Sequence, residues 1–170
     1  MCQVLLETPR FRVVRRQQRL ADGQLRPREV VEHSGSVVIL PMIDANHVCL
    51  IENFRIAVGR TLIELPAGTL EAGEDPAECA QRELIEETGY RAGRIVPLCE
   101  FLVSPGILSE RMYAFLATDL TAGPMALEAG EQIVTRLAAW PDALAMAADG
   151  RIEDAKTLVS LLTYDRCRNA

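Results

Sequence analysis

Apolar positions in this chain fall into short runs separated by glycine, proline and asparagine, and only a few stretches carry the three-and-four spacing of a helix. Residues 36–43 (SVVILPMI) and 47–53 (HVCLIEN) are nearly unbroken apolar runs of strand length, and Asp44-Ala45-Asn46 between them predicts a hairpin in the core sheet. Upstream, residues 5–20 alternate weakly, with Phe11, Val13 and Val14 set among arginines, and Ala21-Asp22-Gly23 reads as a turn into a short strand over 28–34. Together these predict a thin antiparallel layer ahead of the main domain. Residues 61–65 (TLIEL), 95–103, 112–118 (MYAFLAT) and 133–140 add further strands, with a turn at Ser104-Pro105-Gly106 and a loop over 120–132.

Three helices complete the pattern. Asp75-Pro76-Ala77-Glu78 combines an N-cap, a proline at the first helical position and a capping-box glutamate, and Gly89 supplies the left-handed residue after Thr88. Ala77, Ala80 and Leu84 form its expected buried stripe, while Glu83 and Glu87 share another face with Glu86 beside them. Residues 141–149 and 153–168 are the other two, the last with Ala155, Leu158, Val159 and Leu162 as its expected inner face.

At 170 residues the chain suits one globular domain. The net charge of -6 and pI near 5.0 argue against a general nucleic-acid binder, and Arg10, Arg12, Arg15, Arg16 and Arg19 read as a solvated strand edge. No apolar run reaches membrane-spanning length and no signal pattern opens the chain, so a soluble, cytoplasmic protein is expected. Cys2, Cys49, Cys79, Cys99 and Cys167 show no metal spacing and are expected to be reduced, and His33 and His47 are too isolated for a zinc site or a triad.

The chemistry concentrates in Gly68 to Tyr90, GTLEAGEDPAECAQRELIEETGY. A glycine-punctuated loop carrying Glu74 runs into the helix with Arg82-Glu83 and Glu86-Glu87, so a backbone carbonyl and several carboxylates can meet. Hard divalent ions favour such oxygens, and magnesium in particular shares itself between a few carboxylates and substrate phosphates. A solvated acidic helix would be the alternative for Arg-Glu-Leu-Ile-Glu-Glu without the flanking glycines and Glu74.

The fixed positions Gly68, Glu74, Arg82, Glu83, Glu86, Glu87 and Gly89 resemble the signature of the Nudix hydrolases. The segments Glu52-Asn53-Phe54-Arg55 and Glu64-Leu65-Pro66-Ala67-Gly68, with Pro105 sixteen residues beyond Gly89 and Ser109-Glu110-Arg111 after it, resemble the ADP-ribose pyrophosphatase branch. Residues 150–157 (GRIEDAKT) likewise resemble the end of nucleotide-sugar members. The resemblance implies an α/β fold, an α/β/α sandwich with a mixed central sheet (36–170), preceded by a small antiparallel β layer (1–35) that pairs two subunits into a homodimer. It also implies Mg2+-dependent hydrolysis of a nucleoside diphosphate sugar, with Mn2+ as an alternative ion.

On that resemblance Glu83, Glu87, Glu86 and the Ala67 carbonyl hold metal, Glu74 orients Arg82, and Arg82 and Glu86 belong to the catalytic turn. Arg55, Arg60, Glu64, Pro105 and Glu110 line the substrate; for Arg55 an ordinary ion pair, and for Glu64 a strand-end cap, are the alternatives. A base or extra ligand comes from the acidic loop, Glu131 or else Glu128. ADP-ribose is the expected substrate, yielding AMP and ribose 5-phosphate. The N-terminal part offers only Phe11 to stack an adenine and the single tryptophan is Trp140, so GDP-mannose or another nucleotide sugar is the competing substrate. A non-catalytic nucleotide-sugar sensor is the alternative outside enzymology, and it is disfavoured because no signature acid is missing.

Overall fold

The apolar run that begins at Ser36 becomes a strand with no exposed position in the computed structural model, which describes residues 2–127, 130 and 132–169. In chain order the elements are β1 (Gln3–Glu7), β2 (Arg12–Arg19), β3 (Leu25–Glu32), β4 (Ser36–Pro41), β5 (His47–Arg55), β6 (Arg60–Glu64), β7 (Ala67–Thr69), α1 (Pro76–Thr88), β8 (Tyr90–Leu102), β9 (Arg111–Ala122), β10 (Ile133–Ala139), α2 (Trp140–Ala148) and α3 (Ala155–Arg168).

Strand β4 sits inside a mixed sheet of order β7-β4-β9-β8, parallel to β9 and antiparallel to β7. Its side chains alternate between two cores. Val37 and Ile39 pack with Cys79, Ala80 and Leu84 of α1, whereas Val38 and Leu40 pack with Ala143 and Met146 of α2 and Leu161 of α3. Helices therefore cover both faces, and the architecture is the expected α/β/α sandwich with a mixed sheet.

The expected hairpin between residues 36–43 and 47–53 does not form within one sheet. Strand β5 joins a second, antiparallel sheet of order β10-β5-β6, and the two runs are linked across the turn by an isolated bridge between Met42 and Val48 and by the Ile43 N–H, which donates to the His47 carbonyl at 2.9 Å. Both runs are apolar on both faces, so nothing in their periodicity says whether they share a sheet. Asp44 turns the chain between them, accepting from the Asn46 N–H at 2.7 Å.

Residues 5–20 split into two strands at a turn in which Thr8 N–H donates to the Phe11 carbonyl at 3.1 Å. With β3 they form a separate antiparallel sheet, β1-β2-β3. Its arginines are answered across the strands: Arg15 meets Glu29 at 2.8 Å, and Arg16 pairs with Glu32.

Two helix faces also differ from expectation. In α1 the buried set is Cys79, Ala80, Leu84, Glu87 and Thr88, and Ala77 is exposed. In α3 the buried set is Thr157, Ser160 and Leu161, while Ala155 and Leu162 face outward. The polar residues turn inward because each has a partner there: Thr157 Oγ1 accepts from the Leu65 N–H, and Ser160 Oγ donates to the Lys156 carbonyl at 2.8 Å. Trp140 is buried, donates Nε1–H to Asp165 at 3.0 Å and packs edge-on against Tyr164, so its ring belongs to the core.

Candidate active site

Helix α1 starts where Asp75 accepts from the Ala77 and Glu78 N–H groups at 2.8 and 3.3 Å, and ends on Gly89 with φ 73°. These caps fix which turn faces strand β7, which carries Ala67 and Gly68. Gly68 lies directly on Glu83: a Cβ at position 68 would sit 1.9 Å from that carboxylate. One residue earlier, the Ala67 N–H donates to Glu87 Oε2 at 2.8 Å, and Glu87 is only 3% exposed. Strand and helix thus meet through carboxylates on one side and backbone on the other.

Arg82 organises the remaining acids. Its Nε and Nη2 donate to Glu74 at 2.9 and 3.1 Å, and its Nη1 donates to Glu83 at 2.7 Å and to Glu86 at 3.1 Å. Hydrogen bonding from Arg82 holds the Glu74 carboxyl down at about 2. The expected orienting pair of Glu74 and Arg82 is present as a two-point contact. Cys79 Sγ accepts from Arg82 Nη2 at 3.3 Å, and burial first, then Glu74, pushes its thiol up to about 12, which disfavours the thiolate at neutral pH.

The Glu83 carboxylate fills the space that a side chain at position 68 would take, Glu86 is tied to it through Arg82, and Glu87 holds the Ala67 N–H, so three hard oxygen donors gather on this turn. Among the described residues no three carboxylate, imidazole or thiolate side chains already converge as a cage. Magnesium does not need one, since it keeps several waters, and one or two of these acids would suffice for it.

A cleft of about 270 Å³ opens beside this turn, lined among others by Ser36, Arg55, Ala67, Gly68, Glu110 and Lys156. Arg55 donates from Nε and Nη2 to Glu64 at 2.9 and 2.7 Å. Glu64 is 1% exposed and also receives Lys156 Nζ at 2.5 Å. Burial alone would raise its carboxyl, but Arg55 and Lys156 together hold it below the usual carboxylate range. Glu64 therefore lies under the cleft wall and fixes both cations that reach it. Glu110, also lining the cleft, accepts from Ser36 Oγ at 2.6 Å.

Not every expected residue reaches the cleft. Arg60 pairs with Glu153 on the exposed side and does not line it, nor does Pro105, which lies in the turn closed by Ile107 and Leu108 N–H groups on the Ser104 carbonyl. Glu128 and Glu131 lie outside the described residues. The segment leading to them is anchored at the end of α1, where the Gly123 N–H donates to the Gly89 carbonyl at 2.7 Å and the Ala126 N–H to the Glu86 carbonyl at 3.1 Å. Lys156 and Asp154 line the cleft without having been singled out from sequence. One signal was available: Lys156 is the only lysine among 18 basic residues.

The NUDIX domain model matches residues 32–161. The chain is 35% identical over 144 residues to an ADP-ribose pyrophosphatase of Bacillus subtilis (strain 168), covering 84% of this chain and 78% of that one. It is 37% identical over 147 residues to a GDP-mannose pyrophosphatase of Yersinia pestis (strain Pestoides F), covering 81% and 73%. A solved structure described as an ADP compounds hydrolase matches 98% of this chain and 90% of its own with a TM-score of 0.85 at 21% identity, a likeness of fold.

Proposed function

Because this chain belongs to the Nudix family of hydrolases, we propose that it cleaves the pyrophosphate of a nucleoside diphosphate sugar with water, with ADP-ribose as the substrate and AMP and ribose 5-phosphate as products. The observation that carries the reading is the junction of Gly68 with Glu83 and of Ala67 with Glu87, beside a cleft holding Arg55 and Lys156. Acids for a cation and bases for phosphate oxygens lie side by side.

Nudix hydrolases work with divalent metal ions, and we assign Mg2+, with Mn2+ as the alternative, to Glu83, Glu87, Glu86 and the Ala67 carbonyl. Such an ion, when bound, neutralises phosphate charge and lowers the pKa of a coordinated water. Arg82 holds Glu83 and Glu86 in place and is itself held by Glu74. Arg55, kept rigid by Glu64, presents its remaining guanidinium edge to the diphosphate. The anchoring of Ala126 on Glu86 supports a base drawn from the following loop, Glu131 ahead of Glu128. Water adds to one phosphorus, the bridging P–O bond breaks, and the leaving phosphate departs as a monoester anion.

GDP-mannose is the second reading. The Yersinia relative favours it, and Trp140, 5% exposed within the core, is not available to stack an adenine. Five free cysteines favour a reducing, cytoplasmic setting, and no helix among the described residues is long and apolar enough to cross a membrane. We assign residues 1–35 to a dimerising layer, on the strength of the apolar side chains that β1 leaves exposed.

A panel of ADP-ribose, GDP-mannose, NADH and diadenosine polyphosphates with Mg2+ tests the reading. Phosphate released only after phosphatase is added marks pyrophosphate cleavage. Glu87→Gln, which keeps an acceptor for the Ala67 N–H, should fold normally and lose turnover by on the order of 10²-fold or more. Full activity in that variant removes the metal assignment.

A further inference from the structure

Strand β6 pairs with β5 only as far as Glu64. The next N–H, on fully buried Leu65, has left that ladder and must find another acceptor. It donates to Thr157 Oγ1 at 2.8 Å, from a residue 92 positions away on α3 and itself fully buried. The same hydroxyl spends its proton on Asp154 Oδ2 at 2.6 Å. Asp154 in addition accepts the Thr157 N–H at 3.0 Å, as the cap of α3, and Lys156 Nζ at 2.8 Å. Lys156 then returns to Glu64 Oε2 at 2.5 Å, closing a ring of contacts around the peptide between Glu64 and Leu65.

That peptide leads directly into the short strand that supplies the site. Pro66 follows, its carbonyl accepting from the Ile39 N–H at 2.9 Å, and then β7, whose Ala67 and Gly68 pair with Val38 and Val37 of β4 and meet Glu87 and Glu83. A shift of Leu65 is felt at both contacts, two and three residues on. A hydroxyl is suited to this place because it accepts one hydrogen bond while donating another, which neither an amide nor a carboxylate does with one atom.

We infer that Thr157, with Asp154 and Lys156 at the start of α3, is a positioning device that fixes the entry to β7 and so, together with the β4 ladder, sets the Ala67-Gly68 backbone at the metal-binding turn and tunes divalent-ion affinity. The inference rests on the hydrolase reading above. They reach the strand entering the site through Leu65 and Glu64.

The test compares Thr157→Val, which keeps the shape and removes the hydroxyl, with Thr157→Ser, which keeps the hydroxyl. Mn2+ binding to the substrate-free protein is followed by electron paramagnetic resonance, the Leu65 amide by hydrogen exchange, and hydrolysis by kcat and KM across a Mg2+ series. In Thr157→Val the Leu65 amide should lose protection and Mn2+ should bind about tenfold more weakly, the lower end for residues that support a metal ligand indirectly. The half-saturating Mg2+ concentration should rise in step while KM for the nucleotide sugar at saturating Mg2+ stays within about twofold. Thr157→Ser should restore all three.

A merely structural role would lower the melting temperature and leave the ion midpoint at the wild-type value, and that result overturns the inference. Should Thr157→Val fail to fold, Asp154→Asn, which retains a competent cap, carries the same expectation of weaker Mn2+ binding, and unchanged binding there is equally decisive. Wild-type protein that binds Mn2+ yet cleaves no nucleotide sugar would overturn the proposed function while leaving the Mn2+ comparison intact.

Discussion

Gly68 and Glu83 are in such close contact that no side chain can be added at 68 without moving the carboxylate, which lies 1.9 Å from the ideal Cβ position. The obstructing atoms are the far end of a flexible side chain, so Gly68→Ala should be accommodated by swinging Glu83 aside. The fold is expected to survive with a melting temperature close to wild type. Activity should fall on the order of 10²-fold, the cost of misplacing a catalytic group by about an ångström. Circular dichroism and Mg2+-dependent turnover on the same sample check this, and an active Gly68→Ala protein would detach Glu83 from the chemistry.

Glu74 and Arg82 set an acid limit on the turn. Hydrogen bonding from Arg82 lowers the Glu74 carboxyl from 4.5 to about 2. A depressed carboxyl contributes stability above its unfolded value and loses it as pH falls through its folded one. The contribution is therefore full above pH 4.5 and fades toward pH 2. Wild type should melt above Glu74→Gln at neutral pH, and the two curves should converge across that acid window. Parallel curves down to pH 2 would show that the pair adds no proton-linked stability.

The local half of this site was legible in the sequence and the long-range half was not. Asp75, Pro76 and Gly89 announce the ends of α1, and the spacing of Glu83, Glu86 and Glu87 places them on one turn, because caps and helical periodicity act within a few residues. The division of β4 and β5 between two sheets left no trace, since both are apolar on both faces. The inner face of α3 was misjudged for a related reason. Thr157 and Ser160 are buried through hydrogen bonds to Leu65, Asp154 and Lys156, and hydrophobicity cannot register a polar group that is satisfied inside.

Arg55 joins the buried Glu64 to the cleft, and its loss should appear in two measurements at once. Arg55→Ala leaves Glu64 with Lys156 as its one remaining charged partner among the described contacts, at a cost of about 1–3 kcal/mol for an under-paired buried acceptor. The lower half of that range is expected, because the Arg55 side chain is 39% exposed and solvent already screens the pair. In kinetics the variant should lose kcat/KM by roughly 10- to 100-fold, the cost of one charge-assisted contact to phosphate of about 1.5–3 kcal/mol. Arg55→Lys should recover much of the stability and less of the kinetics, because an ammonium cannot reproduce the two-pronged contact. Denaturant titration and initial rates separate the two effects; wild-type kcat/KM in Arg55→Ala would exclude it from substrate binding.

The separate β1-β2-β3 sheet leaves Val4, Leu5 and Leu6 at 44, 41 and 51% exposure, on both sides of a strand with no buried position. A three-stranded sheet of this kind has little to bury within its own chain, and a second copy laid against it would cover those side chains. The same sheet reaches the cleft: the Val31 N–H donates to the Ile107 carbonyl at 2.8 Å and the Ser109 N–H to the Val31 carbonyl at 2.9 Å, next to Glu110. Pairing of two chains through this layer would thus stiffen one wall of the substrate cleft. Sedimentation at micromolar concentration is expected to give the mass of a dimer. Leu6→Glu, which places a charge in the covered surface and touches nothing in the sandwich core, should weaken association at least about tenfold, or about 1.4 kcal/mol. Activity per chain should drop with it as the protein is diluted. A wild-type protein that sediments as a monomer and keeps full activity would exclude both the pairing and its link to the cleft.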